Sequence, residues 1–250
     1  MANQKTKNQG MSPKQLKRAL LIAVCCVVVF VAVLGGVYAL SHKDDGKTAS
    51  VNEFTQQSVS EYAQSEDPVA TITMKDGGVI RVRLYPAAAP NTVANFVTLA
   101  NSGFYDGQWF YRILPGCLVQ AGDPTGDGTG GPGYSIQGEF SKNGHANGIS
   151  HTRGTISMAR LEGDYDSAGS QFFLLQGSYP EYDGLYAAFG RICDEESLSV
   201  LDEIANVPVD SHQRPMEKTY IQTIRVDTMG YSYTPVVIEG KDETNGKPED

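Results

Sequence analysis

Cysteine, histidine and tryptophan are scarce in this chain of 250 residues, which contains four, four and one of them respectively. Cys25 and Cys26 are adjacent in an apolar segment, whereas Cys117 and Cys193 are isolated, so the cysteines provide no disulfide framework. The four histidines are dispersed and form no metal-ligand pattern. We therefore expect neither a metal nor a cofactor.

Basic residues are also in deficit, because 20 Lys and Arg face 29 Asp and Glu, for a net charge of −9. Such a surface repels nucleic acid, and we expect no nucleic-acid partner. Gly126, Gly128 and Gly131 match a dinucleotide-binding fingerprint by letter, but Pro132 follows where that site requires a helix. Ser170 lacks the nucleophile-elbow pattern of a serine hydrolase.

The N-terminus has the pattern of a membrane anchor. Residues 1–18 carry five positive charges and no acidic residue, and residues 19–40 form a run of 22 residues without a charge. As a helix this run is about 33 Å long, enough to cross the hydrocarbon core of a bilayer. Basic residues before it and Asp44 and Asp45 after it place the N-terminus in the cytoplasm and the remainder outside. We predict a single-pass cell-membrane protein with its main domain extracytoplasmic.

Two other interpretations of this segment compete. Val37-Tyr38-Ala39 resembles a signal-peptide cleavage site, although the apolar run is longer than a typical signal core, which favours an uncleaved anchor. A lipoprotein site at Cys25 is disfavoured, because Val24 is large and the apolar run continues beyond the cysteine. Under all three interpretations the globular domain is exported from the cytoplasm.

The rest of the chain divides into a polar tether over residues 41–67, one globular domain over 68–229 and a disordered acidic tail over 230–250. Ala70, Ile72 and Met74 alternate with polar residues before a glycine turn, which predicts a β-hairpin with residues 80–84. A helical period follows Pro90 and ends at Gly103. Further strands are predicted over 109–114, 118–121, 154–159, 171–175, 187–192 and 220–227. A second helix is predicted over 195–205, with Asp194 as its N-cap. Many short strands with two helices indicate an antiparallel barrel.

Five motifs occur in order inside this domain: F-x-R-I-x-P-G from Phe110, Q-x-G-D from Gln120, G-T-G-G from Gly128, S-M-A from Ser157 and G-S-Q-F-F from Gly169. Over residues 68–228 the chain thereby resembles the cyclophilin family of peptidyl-prolyl cis-trans isomerases. The resemblance implies a mainly β fold, a closed eight-stranded antiparallel β-barrel capped by two α-helices, here preceded by one N-terminal transmembrane helix. It also implies a function, the acceleration of X-Pro bond rotation in exported or cell-surface proteins.

Site roles follow from the same resemblance. Arg112 would be the catalytic donor, with Gln120 and the backbone at Arg160 binding the substrate main chain. Gln171 would steady Arg112. The other substrate-binding positions would be an apolar pocket of Phe110, Cys117, Leu118 and Phe173, a groove floor at Ala159, and a rim of Tyr182 and Tyr186.

Three positions of the expected site depart from the best-known family members, which have an aromatic residue in place of Cys117, a tryptophan at the pocket rim in place of Glu181 and a histidine in place of Tyr186. The expected partners are proline-containing polypeptides and, through the N-terminal helix, the membrane. We expect a monomer. The alternative function is a membrane-tethered module or scaffold that binds proline peptides with little required turnover.

Overall fold

A computed structural model describes residues 62–240 of the chain. The predicted anchor, most of the predicted tether and the last ten residues lie outside the described residues. Within residues 62–240, no helix combines the length and the apolar character needed to cross a membrane.

Short strands dominate the described part, together with two α-helices and two 3₁₀ turns, at Ser141–Asn143 and Pro180–Tyr182. The strands are β1 Val69–Met74, β2 Val79–Leu84, β3 Arg112–Leu114, β4 Leu118–Ala121, β5 Tyr134–Ser135, β6 Thr155–Met158, β7 Phe172–Leu175, β8 Ala188–Ile192, β9 Ile221–Asp227 and β10 Ile238–Glu239. The helices are α1 Pro90–Asn101 and α2 Glu195–Ala205. The mainly β fold and both predicted helices are confirmed.

Eight strands form one curled antiparallel sheet in the order β3-β4-β7-β6-β8-β2-β1-β9. No ladder joins the two edge strands among the described residues. Instead, an isolated bridge pairs Trp109 with Tyr220, just before each edge strand begins. β3 contains three residues, and the Ile113 amide donates to the Gln213 carbonyl at 2.8 Å instead of to β9. The sheet is therefore a half-barrel with its edges brought together, which differs from the fully laddered closed barrel that the resemblance implies.

The core lies inside the curl of the sheet, between it and α1. Phe172 is fully buried and packs edge-on against Phe96 of α1 and against Tyr105, with ring centroids 5.4 and 5.5 Å away. Its neighbour Phe173 faces the opposite side of β7 and belongs to a separate apolar cluster. Because side chains alternate along a strand, this dipeptide supplies one ring to the core and one to the functional cleft.

A carboxylate from a distant loop caps the first helix. Ala89 precedes α1 and offers no side-chain cap. Glu139 accepts instead from the amides of Asn91 and Thr92 at 3.0 and 2.7 Å. A carboxylate at a helix N-terminus pairs with amides that have no partner within the helix, and its negative charge interacts favourably with the helix dipole. The second helix is capped locally, as predicted, by Asp194, which accepts from the Ser197 amide at 2.8 Å.

The structure shifts both predicted boundaries of the domain. The expected disorder from residue 230 onward is not observed for residues 231–240, because Ile238 pairs with Ser135 and the Val236 amide donates to Asn91 at 2.7 Å. At the other end, the Tyr62 hydroxyl accepts from the Gly148 amide at 3.1 Å, inside the predicted tether. A two-residue strand, one backbone amide and one tyrosine hydroxyl make these contacts, and such short segments give no periodic signal.

Gly122 provides a test of the packing between β4 and β7. It has a φ of +92°, and a Cβ placed there would lie 2.3 Å from the Ser170 carbonyl oxygen. We expect Gly122→Ala to lower the free energy of unfolding by about 3 kcal/mol, since strain and overpacking act together. Gly77→Ala is the matched control, because Gly77 has a φ of +99° with open space around it, and should cost about 1 kcal/mol. Equal decreases in urea unfolding would contradict this packing.

Candidate functional site

The pairing of β3 with β4 brings Arg112 opposite Gln120. A turn at Leu114–Cys117 joins the two strands, closed by the Cys117 amide and the Leu114 carbonyl at 2.9 Å, with Gly116 at a φ of +78°. The Arg112 Nη1 group then donates to the Gln120 Oε1 atom at 3.1 Å. The eight-residue spacing in the sequence is thus the register of a hairpin.

Gln120 is itself held in one orientation. Its Nε2 group donates to the Tyr111 hydroxyl at 2.6 Å and to Gln171 Oε1 at 3.0 Å. The Tyr111 hydroxyl also donates to Gln171. Because the amide nitrogen is occupied on this side, the Gln120 oxygen faces Arg112. Gln171 therefore contacts Gln120 and Tyr111, and its predicted effect on Arg112 is indirect.

The glycine-rich loop after β4 supports Gln171 from behind. The buried Asp123 carboxylate accepts from the amides of Thr125, Gly128 and Gly130 at 2.7, 2.5 and 3.1 Å. This folds the loop so that the carbonyls of Gly128 and Gly130 accept from Gln171 Nε2 at 3.2 and 3.0 Å. The glycines therefore carry a polar support for the site, with no feature of a nucleotide loop.

An apolar cluster forms the other wall. Phe173 lies opposite Gln120 in the β4–β7 register, and its ring centroid is 5.7 Å from that of Tyr186 and 6.1 Å from that of Tyr182. Cys117 and Leu118 are buried beside it. Arg112 and this wall enclose a cleft of about 160 Å³, whose lining is Arg112, Leu118, Gln120, Ala159, Arg160, Phe173, Tyr182 and Tyr186. Cys117, predicted to bind substrate, is buried in the same apolar cluster and does not line this cleft.

A second cleft of about 330 Å³ adjoins the first and shares Arg112, Gln120, Ala159 and Arg160 with it. The Arg160 guanidinium stacks 4.8 Å from the Tyr186 ring centroid, and its Nε group donates to the Leu185 carbonyl at 3.0 Å. The prediction assigns a role only to the backbone at Arg160, but its side chain also lines both clefts and lies between them.

Phe110 does not line either cleft described above, and its predicted place in the apolar pocket is wrong. Its side chain is fully buried in the core, with its ring centroid 6.4 Å from that of Phe172. The pocket role of Phe110 comes from the family resemblance alone, and the residue precedes β3, outside the hairpin register that places Arg112 opposite Gln120. Tyr111 lines the second cleft and bonds Gln120.

Two contributors to the site have no signal in the sequence pattern. Gln213, from the loop between α2 and β9, accepts from Arg112 Nε at 2.8 Å. His151 is buried behind the cleft, stacked at 6.3 Å on Phe173, with Nδ1 3.0 Å from an Asp183 oxygen and Nε2 3.0 Å from the Ser157 hydroxyl. Burial lowers the pKa of His151 below its usual value, although the bond to Asp183 opposes the shift.

No group of three or more metal-ligating side chains occurs within residues 62–240. Cys117 and Cys193 are both free thiols, the first buried in the apolar cluster around Phe173 and the second exposed. In the described part of the domain, the polar side chains that line the first cleft are thus the guanidiniums of Arg112 and Arg160, the amide of Gln120 and the hydroxyls of Tyr182 and Tyr186.

A family model for cyclophilin type peptidyl-prolyl cis-trans isomerases matches residues 69–226. A peptidyl-prolyl cis-trans isomerase of Synechococcus elongatus is 45% identical over 129 residues, covering 52% of this chain and 83% of that protein. The isomerase B of Bacillus subtilis is 47% identical over 119 residues, covering 48% and 79% respectively. The chain belongs to the cyclophilin-type peptidyl-prolyl cis-trans isomerases.

A solved cyclophilin of Cryptosporidium parvum, crystallised in the presence of the dipeptide Ala-Pro, has the same fold. It superposes with a TM-score of 0.56 at 30% identity, covering 64% of this chain and 98% of that one. The chain is therefore an isomerase of this cyclophilin type, and its fold and enzyme class agree with the motifs in residues 110–173.

His151 gives this cyclophilin a defined pH dependence of stability. Since the folded-state pKa lies below the unfolded value of 6.5, the unfolded chain binds the proton more readily below that pH. The contribution of His151 to the free energy of unfolding is complete above pH 6.5 and decreases as the pH falls below that value. We expect the unfolding free energy of His151→Gln to vary less between pH 7.5 and 5.0 than that of the wild type. Parallel urea-unfolding profiles for the two proteins would contradict the assignment.

Proposed function

We propose that Arg112 is the catalytic donor for rotation about X-Pro bonds in bound polypeptides. The rotation barrier is about 18–20 kcal/mol, because the amide nitrogen lone pair is delocalised into the carbonyl. No bond is broken, so a catalyst needs only to stabilise the twisted amide. A guanidinium held beside a dry apolar cleft can donate to the nitrogen lone pair in that state and stays charged at all physiological pH.

The observation that carries this proposal is the half-buried Arg112 held by two glutamine oxygens, 2.8 and 3.1 Å away, next to the cluster around Phe173. In the proposed complex the proline ring enters the cleft between Phe173, Leu118 and Tyr182. Cys117 lies in the same apolar cluster, where it occupies less space than an aromatic residue would.

The remaining side chains would orient the peptide. Gln120 and the backbone at Arg160 are proposed to bind its main chain, with Ala159 beneath it and Tyr186 at the rim. Gln171 would act through Gln120. The substrate class is proline-containing polypeptides, which is supported by the Ala-Pro dipeptide named for the Cryptosporidium relative.

We further propose that the clients are exported or cell-surface proteins. This rests on the basic residues 1–18 and the uncharged run 19–40, which lie outside the described residues. The isomerase would be tethered outside the membrane and act as clients fold after export. Uncatalysed X-Pro isomerisation takes tens to hundreds of seconds, which is slow enough to limit folding.

Arg112→Ala tests the catalytic role. Removing the guanidinium should lower kcat/KM at least about 100-fold on a proline tetrapeptide, since a fixed charged donor in a low-dielectric site contributes on this scale. Arg112→Lys keeps the charge but lacks the planar fork and should recover little. Lys75→Ala is the control, since it removes an exposed positive charge in the turn between β1 and β2.

The same variant separates catalysis from scaffolding. A binding module would require affinity and not turnover. If Arg112→Ala isomerised the peptide at the wild-type rate in an NMR exchange experiment, the catalytic proposal would fail. If it were inactive in turnover but kept both peptide affinity and the cellular phenotype, the scaffold alternative would gain.

A separate experiment tests the anchor. We expect the protein extracted from membranes to have the intact mass of the full chain, and protease added outside the cell to degrade the isomerase domain. A mass lacking residues up to about 39 would indicate signal cleavage at Val37-Tyr38-Ala39 and contradict the anchor. Protection of the domain inside intact cells would contradict export itself.

A further inference from the structure

The loop between α2 and β9 is folded as a compact hairpin over residues 207–216. An isolated bridge pairs Val209 with Pro215, and the Met216 amide donates to the Pro208 carbonyl at 2.9 Å. At the tip, the Asp210 amide donates to the Arg214 carbonyl at 2.8 Å. The loop is therefore a built element of the domain despite its lack of regular strands.

A carboxylate inside this loop organises its tip. Asp210 Oδ1 accepts from the amides of His212 and Arg214 at 2.8 and 2.9 Å. The Gln213 amide donates to the Asp210 carbonyl at 3.0 Å. These bonds determine the position of Gln213, which lies at the point of the turn that faces β3.

Gln213 has an unfavourable backbone conformation for its residue type. Its φ is +65°, one of two positive values for non-glycine residues within 62–240, the other being Met229. Glycine fills such positions without steric cost. A glutamine in this conformation points to a task for its side chain, as strained residues often do near functional sites.

Gln213 makes two hydrogen bonds with residues of β3. The Gln213 carbonyl accepts from the Ile113 amide, and its side-chain Oε1 accepts from Arg112 Nε, both at 2.8 Å. β3 is an edge strand, so its outer side has no neighbouring ladder. Gln213 lies on that side and is hydrogen-bonded both to the backbone of β3 and to the guanidinium of Arg112, the candidate catalytic residue.

Two anchor points determine the plane of a guanidinium. Gln120 holds Arg112 through Nη1 and Gln213 holds it through Nε. Of the five N–H groups of an arginine, these two hydrogen bonds use two and leave the others for a substrate. Without the hydrogen bond at Nε, the guanidinium could pivot around the bond at Nη1, and a displacement near 1 Å is enough to lower a rate by about 100-fold.

We propose that Gln213 is a positioning residue that sets the orientation of Arg112, so that the loop 207–216 belongs to the catalytic apparatus. This inference rests on the proposed catalytic role of Arg112. It predicts an unusual separation of effects, because removing the Gln213 side chain should relieve backbone strain while impairing turnover.

Gln213→Gly is the decisive variant. It keeps the backbone bond to Ile113 and removes Oε1, so kcat should fall about tenfold or more with KM little changed. Its melting temperature should equal or exceed that of the wild type, since glycine accepts the positive φ. Met229→Gly is the matched control: it makes the same backbone change in an exposed turn and should leave kcat unchanged.

A spectroscopic measurement observes the hydrogen bond directly. In the wild type, the Arg112 Nε–H resonance should be protected from exchange with water, and in Gln213→Gly it should exchange rapidly. Gln213→Asn provides a second variant, because asparagine tolerates positive φ better than other residues and its shorter side chain cannot reach Nε. It should show the same decrease in kcat.

The inference is overturned if Gln213→Gly and Gln213→Asn are folded and turn over at the wild-type kcat while Arg112→Ala does not. It is also overturned if kcat falls only in proportion to a lower melting temperature, because that would be a structural effect. Full activity of Arg112→Ala would instead refute the proposed function on which the inference depends.

Discussion

The hydrogen bond between Arg112 and Gln120 is the contact around which the cleft is arranged. It forms because a tight turn pairs β3 with β4 so that the two side chains lie opposite each other. The next register, β4 with β7, places Phe173 beside Gln120 on the same face. Two strand pairings thus bring a charged donor, an amide and an aromatic ring to one side of the sheet.

Polar support behind this contact extends further than the cleft itself. Gln120 is oriented by Gln171 and Tyr111, and Gln171 is held by a loop that folds around the Asp123 carboxylate. Each buried donor in this series is hydrogen-bonded to an acceptor. Such hydrogen bonds are costly to break in a low-dielectric environment. The guanidinium consequently sits in a rigid frame, as a catalyst that works by electrostatic stabilisation requires.

Much of this arrangement could be predicted from local patterns. Alternation in residues 70–84, the helical period after Pro90 and the N-cap at Asp194 are short-range signals, and the structure confirms all three elements. The eight-residue spacing of Arg112 and Gln120 is the register of the β3–β4 hairpin, whereas the place of Phe173 beside Gln120 follows only from the family resemblance. The family assignment follows from the motifs in residues 110–173.

Interactions between segments distant in sequence could not be predicted in this way. Glu139 caps α1 from 47 residues away, and Gln213 reaches Arg112 from 101 residues away. Neither residue belongs to a periodic pattern, so only tertiary structure reveals its partner. The prediction for Phe110 is wrong because its role is transferred from the family resemblance, whereas the structure places its ring in the main core. Ile238 lies in a two-residue strand whose pairing with the distant β5 has no local signature.

The most direct measurement of the central claim is a crystal structure of the domain with a bound proline-containing peptide. The account predicts the proline ring between Leu118, Phe173 and Tyr182, with a guanidinium N–H of Arg112 within about 3.5 Å of the prolyl amide. A proline ring bound outside this cleft, or an Arg112 side chain turned into solvent in the complex, would contradict it.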